Sequence, residues 1–478
     1  MSLAQLNNRR TWWLIGSLGI LLASLLVWFL VRATRTPAEE RRRAHGYVVS
    51  PDQIDSANAV LARVVAAREI PGATLAIGNR GRILETRGYG RVGWKETDAP
   101  ASPDSTSYDL ASLTKAVATT TATLLLVQDG RITLDEPVQR WLPEFKGEWK
   151  DRVTWRHLLT HTSGLPPAGK MRGRVPSQRL RSLVETKLNA PPGTSVQYSD
   201  VSFIVLWTAA ERAAGEPLPQ FLERRVWRPL GMQRTAFWPG LDCEHCAATQ
   251  LLKSGEPYRG KPSDPTAHKL GIPTGNAGLF STAHDLARFT AMIANGGALG
   301  DVRVLRPDLV RELFVQQPHA GHRTLGWQAF CPAEEPTQQD RCAQPIAYGH
   351  TGWTGTSLWI EPQRGVWVVI LSNRSYNVKC PPPLDELRED VFMEAAGIES
   401  PRSETKDDTA RACSRTSVAA SDASAKRKAK RRPASTSSRA KASKTKASRT
   451  KVSNAKASKA TSSKAKSSKA RASRTRDR

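Results

Sequence analysis

Two pairs of strand-like segments, set at opposite ends of the globular part of this chain, constrain its fold more than any other feature. Residues 73–78 and 82–87 alternate in polarity around Asn79-Arg80-Gly81, which is the pattern of a hairpin. Residues 353–361 and 366–373 read as two further strands joined by a turn at 362–365. Between the pairs, apolar positions recur at helical spacing over 178–188, 201–214 and 282–295, the last with Ser281 or Thr282 as N-cap and Gly296 as its terminating glycine. An amphipathic segment at 51–68 precedes the first pair, and another helix at 385–396 follows the second. Strands so far apart in sequence can cover their apolar faces by pairing with each other. The expectation is an α+β domain over 51–398: an antiparallel sheet flanked by helices, its first and last strands paired, with an inserted all-α lobe rather than βαβ winding.

The segments outside this domain are of different material. Residues 11–31 form an uncharged apolar run with Trp12, Trp13 and Trp28 near its ends, and about 20 such residues span a bilayer. The residues after it make a poor cleavage site, so a single-pass transmembrane anchor is expected, preceded by a short tail (1–10) and followed by an Arg-rich linker (32–50). At the other end, residues 399–478 are rich in Lys, Ala and Ser, and Lys-Ala-Ser recurs at 441–443, 446–448 and 456–458. Residues 426–478 hold 21 of the 71 Lys and Arg and only one acidic residue, Asp477. The high net charge of +27 therefore belongs mostly to the tail, and the rest of the chain is only mildly basic. A segment with almost nothing apolar larger than Ala cannot bury a core and is expected to be disordered. Its chemistry suits an anionic polymer, either an envelope polymer or a nucleic acid, contacted through residues 403–478 without sequence readout.

Chemistry is concentrated in three short stretches. Ser112-Leu113-Thr114-Lys115 opens an apolar-periodic run, and a helix starting there sets Ser112 and Lys115 side by side. A serine hydroxyl needs a neighbouring base, and a lysine with a lowered pKa can serve as one. Tyr198-Ser199-Asp200 lies just before a helix, and His350-Thr351-Gly352 begins a C-terminal strand. There is no Gly-x-Ser-x-Gly elbow, and His157 and His161 lack the glutamate that a zinc-protease motif requires, so both read as a helix-end and a core histidine. The spacing of Cys243-Glu244-His245-Cys246 is that of half a zinc site, but no second ligand pair answers it, which leaves a disulfide or free thiols. Cys331 and Cys342 bracket a polar loop that a disulfide would close, as suits an oxidising compartment.

The order of these stretches resembles the serine β-lactamase and penicillin-binding-protein superfamily, with its Ser-x-x-Lys, Tyr-x-Asn and Lys-Thr-Gly boxes. The His-Thr-Gly variant is similar to the class-C-like branch of β-lactamase-related esterases, carboxypeptidases and muropeptide amidases. Residues 155–165, 277–282 and 349–356 also look familial, and the resemblance covers roughly 50–398. It implies Ser112 as acylated nucleophile, with Lys115 as its proton acceptor or supporting cation. It also implies Tyr198 as proton shuttle, and the backbone N–H groups of Ser112 and Trp353 as oxyanion hole. Thr351 and Gly352 would line the substrate, with the glycine leaving room for its backbone, and no metal or organic cofactor is implied.

Asp200 and His350 stand where the superfamily has asparagine and lysine. A carboxylate at 200 suits pairing with Lys115, and a neutral histidine at 350 would weaken recognition of a substrate carboxylate at pH 7. The expected activity is therefore an acyl-enzyme hydrolase of amides or esters, acting on peptidoglycan-derived peptides as a carboxypeptidase or muropeptide amidase. The alternatives are a β-lactamase or small-ester esterase, and, of another class, an inactive binding module with a polyanion-binding tail. Arg9 and Arg10 precede the apolar run, whereas Arg32, Arg35, Arg41, Arg42 and Arg43 follow it, which by charge alone keeps the domain in the cytoplasm. Cell-wall chemistry favours the opposite: an inner-membrane protein with a periplasmic hydrolase domain.

Overall fold

The computed structural model describes residues 46–240, 243–331, 340–376 and 384–399. The expected anchor at 11–31 and the basic tail lie outside the described residues, within which no helix is long and apolar enough to cross a membrane.

Six antiparallel strands make the main sheet: β1 (Gly72–Asn79), β2 (Arg82–Gly90), β3 (Gln328–Phe330), β4 (Ala347–Thr351), β5 (Ser357–Glu361) and β6 (Val366–Ser372). Their order is β3-β4-β5-β6-β1-β2, so the first and last strands pair as expected, from Ala73 opposite Ser372 to Asn79 opposite Val366. Five helices recur below: α1 (Pro51–Ala66), α2 (Thr121–Gln128), α3 (Asp200–Ala214), α4 (Ala283–Ala294) and α5 (Leu384–Ala396).

Every residue of β1 and β6 is buried, because helices cover both faces. Period-two alternation sorts their side chains. Leu75, Ile77, Val368 and Ile370 pack with Ala57, Leu61, Val391 and Phe392 of α1 and α5. Ala76, Val369 and Leu371 join Leu286, Phe289 and Ile293 of α4 in the larger core. A capping box fixes the start of α1, in which the Ser50 hydroxyl accepts from the Gln53 N–H and the Gln53 side chain accepts from the Ser50 N–H. Thr282 caps α4 as expected.

The insertion between β2 and β3 is mostly helical, but it is not all-α. A three-stranded ribbon pairs Tyr108–Asp109 and Ala236–Phe237 with Leu279–Ser281. This ribbon ends three residues before Ser112 and so ties the start of the site to the segment around Asn276. A second departure concerns the stretch at 350. His350 and Thr351 close β4 instead of opening a strand, Gly352 to Thr356 form a turn, and the next strand starts at Ser357.

Candidate active site

Ser112 sits in a turn rather than inside a helix. Ala111 before it adopts φ +47°, held by its N–H donating to Asp109 Oδ1 at 2.9 Å. The other oxygen of Asp109 accepts from both the N–H and the hydroxyl of Ser263. Past Ser112 the chain winds into a π-helical stretch over Lys115–Thr120 and then into α2. The Thr120 hydroxyl donates to the Lys115 carbonyl five residues back, at 2.8 Å, which favours the wider turn.

The one-turn spacing expected of Ser112 and Lys115 holds, since Lys115 Nζ donates to Ser112 Oγ at 3.0 Å. Lys115 is fully buried and also donates to Asp200 Oδ1 at 2.7 Å and to the Asn276 carbonyl at 2.9 Å. Burial works to lower the pKa of this amine. The charge of Asp200 and then the Tyr198 phenol outweigh it, so Lys115 is held above its ordinary value. The resting group is thus an ammonium with three acceptors. Because Ser112 Oγ accepts from it, the serine's own hydrogen is left for another base.

Tyr198 and Asp200 flank Ser199, the N-cap of α3. The Ser199 hydroxyl accepts from the Ser202 N–H at 3.0 Å and donates to the Pro166 carbonyl at 2.7 Å. His161 grips the same segment from outside. Its carbonyl accepts from the Gln197 N–H, its Nδ1 accepts from the Ser199 N–H, and its ring stacks on Tyr198 at 4.4 Å between centroids. Burial, with the Arg323 and Lys115 charges, keeps this imidazole neutral well below the ordinary histidine value. His161 is a core histidine, as the sequence suggests, yet its contacts are with the Tyr198 loop.

Two cations face the Tyr198 ring: Lys115 Nζ is 4.9 Å from its centroid, and Arg323 Cζ is 5.2 Å away. Arg323 is 7% exposed and donates to Gln328 Oε1 at 2.6 Å, and no carboxylate pairs with it among the described residues. Nothing in the local sequence marks Arg323, which sits in a loop without periodicity. Lys115's partner Asn276 also escaped notice, since it contributes a main-chain carbonyl. His350 lies 6.3 Å from Tyr198 between ring centroids and donates from Nδ1 to the Thr351 carbonyl. Burial first, then the Arg323 and Lys115 charges, push its pKa down to about 3, so the ring is neutral.

The turn after Thr351 is pinned to the residues before Ser112. The Thr354 hydroxyl donates to the Asp109 carbonyl at 2.6 Å, and the Thr356 hydroxyl donates to the Leu110 carbonyl at 3.0 Å. Gly352 is required by this contact. A Cβ there would lie 2.1 Å from Thr356 Oγ1 and 2.3 Å from the Leu110 carbonyl, so internal packing by itself requires a glycine at this position. Trp353 belongs to the turn, not to a strand edge, and its side chain is 62% exposed. Neither the Ser112 N–H nor the Trp353 N–H meets an acceptor among the described residues. Both cysteine pairs form disulfides, Cys243–Cys246 and Cys331–Cys342.

A half-buried serine beside a buried lysine that also contacts a tyrosine loop, with two nearby N–H groups that meet no acceptor among the described residues, fits a serine hydrolase. The chain belongs to the β-lactamase family, whose model, described as Beta-lactamase, matches residues 57–391. Over 303 residues it is 31% identical to a Salmonella agona (strain SL483) protein named "Putative D-alanyl-D-alanine carboxypeptidase", covering 57% of this chain and 70% of that one. Its fold is similar to that of a penicillin-binding-protein homologue from Caulobacter crescentus, with a TM-score of 0.59 at 23% identity over 73% of this chain and 98% of the other. It is also similar to EstCE1, a hydrolase with promiscuous acyltransferase activity, with a TM-score of 0.55 at 23% identity over 71% and 98%.

Proposed function

We propose that this hydrolase is a carboxypeptidase that removes a C-terminal residue from peptidoglycan-type peptides. Ser112 attacks the scissile carbonyl and becomes acylated. Its proton leaves toward Tyr198, because Lys115 has no lone pair to receive it. Tyr198 takes that proton as a phenolate, which the Lys115 ammonium stabilises until the transfer, and the N–H groups of Ser112 and Trp353 receive the oxyanion. Tyr198 then passes the proton to the leaving amine, and the acyl-enzyme is hydrolysed by water.

The observation that carries the choice of substrate is Arg323. A buried guanidinium without a carboxylate partner among the described residues, lying over the ring of the candidate base, is a ready anchor for the free carboxylate of a peptide C-terminus. It supplies the recognition that a neutral His350 cannot. The carboxypeptidase name of the Salmonella relative supports the same reading.

The test is hydrolysis of diacetyl-Lys-D-Ala-D-Ala beside its C-terminal amide. The free acid is expected to be preferred by roughly a hundred-fold in kcat/KM, an Arg–carboxylate contact being strong when desolvated. Arg323→Met is expected to erase most of that preference while leaving acylation by a fluorophosphonate intact. Equal hydrolysis of acid and amide by the wild type would overturn the proposal. The disulfides suit an oxidising compartment, which supports a periplasmic domain held by an anchor at residues 11–31.

A further inference from the structure

Arg388 reaches out of α5 into the turn that carries Trp353. It is 6% exposed, and its Nη2 donates to the carbonyl of Gly352 at 2.7 Å and to that of Thr356 at 2.9 Å. Its one carboxylate partner among the described residues, Asp385 at 3.0 Å, has a side chain 92% exposed to solvent. A buried cation from the C-terminal helix therefore has its close, sheltered contacts with two main-chain oxygens of a five-residue turn.

The Gly352 carbonyl and the Trp353 N–H are the two ends of a single peptide unit. In a trans peptide these dipoles point in opposite directions across a rigid plane. An arginine that draws the carbonyl toward α5 turns the N–H the other way, while Thr354 and Thr356 pin the rest of the turn to Asp109 and Leu110. A charged donor on the carbonyl also polarises the peptide and strengthens the hydrogen bond its N–H can give. The Trp353 carbonyl faces a second arginine, Arg374, at 3.5 Å. The Gly352 N–H is engaged by the Thr356 carbonyl and the Gly355 N–H by the Gly352 carbonyl at 3.1 Å, whereas the Trp353 N–H meets no acceptor among the described residues.

We propose that Arg388 is a positioning residue for the oxyanion hole, which aims and polarises the Gly352–Trp353 peptide without touching substrate. The proposal rests on the assignment of the Trp353 N–H as an oxyanion donor. It predicts a defect confined to the chemical step, because the N–H contributes most when charge develops on the oxygen it binds.

The experiment uses the full chain, with p-nitrophenyl acetate as substrate and active sites counted by a fluorophosphonate. Per titrated site, Arg388→Met is expected to lower kcat by roughly ten- to hundred-fold with KM within about two-fold, short of the full loss of an oxyanion donor. The rate of Ser112 phosphonylation should fall in parallel. Arg388→Lys, which keeps the charge but reaches fewer acceptors, should lie between the two, and it decides the matter if Arg388→Met does not fold. A merely structural arginine would lower the melting temperature and the number of titrated sites while leaving kcat per site at the wild-type value, and that result would overturn the proposal. A wild-type chain that takes no adduct on Ser112 would instead overturn the acyl-enzyme reading beneath it.

Discussion

Lys115 contacts Ser112, Asp200 and the Asn276 carbonyl, and the Asp200 charge beside it favours the supporting cation among the two roles that the Ser-x-x-Lys spacing allows. In the proposed mechanism the lysine is a cation at rest, and proton transfer falls to Tyr198. The exchange of the family's asparagine for Asp200 becomes intelligible in the same way, as the charge that outweighs burial of the ammonium. Asp200→Asn removes the larger of the two influences that oppose burial and leaves only the Tyr198 phenol against it, so Lys115 should lose its proton at lower pH than in the wild type. The alkaline limb of kcat/KM should then move down by about one pH unit or more, read from initial rates between neutral pH and pH 11. An unmoved limb would mean that the charge on Lys115 does not limit turnover. Ser112, Lys115, Tyr198, Asp200 and His350 were legible in the sequence because each sits in a short motif whose spacing sets its geometry. Arg323, His161 and Arg388 work from positions with no local pattern. Their partners, such as Tyr198 for Arg323, the Ser199 N–H for His161 and the Gly352 carbonyl for Arg388, lie in other elements of the chain, and no spacing rule reports such contacts.

At the scale of elements, the segment from 197 to 202 shows how a cap places chemistry. Ser199 closes the first turn of α3 and anchors to Pro166, so Tyr198 and Asp200 project from either side of a fixed point. Ser199→Ala should cost about 1–2 kcal/mol in urea unfolding, the usual range for a lost N-cap, and kcat should fall with it because both neighbours lose their register. A variant as stable as the wild type but equally impaired would show that the hydroxyl acts in the chemistry rather than as a cap. The strand pairs and most helices were readable from periodicity, and their pairing followed from the need to cover two apolar faces. Two boundaries were not. The apolar Trp353 drew the expected strand start back into what is a turn, where Gly355 at φ +108° breaks the extended backbone and the indole stands in solvent. The helix expected at 178–188 instead runs over Pro176–Val184, because Pro176 starts it in the first-turn position that suits its missing N–H.

For the whole molecule, charge and catalysis separate along the chain. The hydrolase domain can be built and its site assembled from residues 46–399 alone, while the surplus of positive charge sits beyond them. Apolar residues decide the fold, and a stretch of Lys, Ala and Ser has none to contribute, so the sequence could mark the tail as separate but could not name what it meets. We propose an anionic polymer. A chain ending at residue 398 should hydrolyse p-nitrophenyl acetate as fast as the full chain, because no described contact of the site involves a later residue. On immobilised heparin the two should differ sharply. The full chain should be retained at about 0.15 M salt and released as salt rises, since each paired anion displaces a counterion, whereas the shortened chain should pass through. Equal retention would shift the polyanion site to the mildly basic domain, where the exposed Arg172 and Arg174 follow the Pro166–Pro167 stretch that holds the Tyr198 loop. In that case a polymer bound there should compete with substrate, and heparin should inhibit the shortened chain. Retention of the full chain alone, with activity unchanged by heparin, would instead make the tail a tether acting on where the enzyme works and not on how.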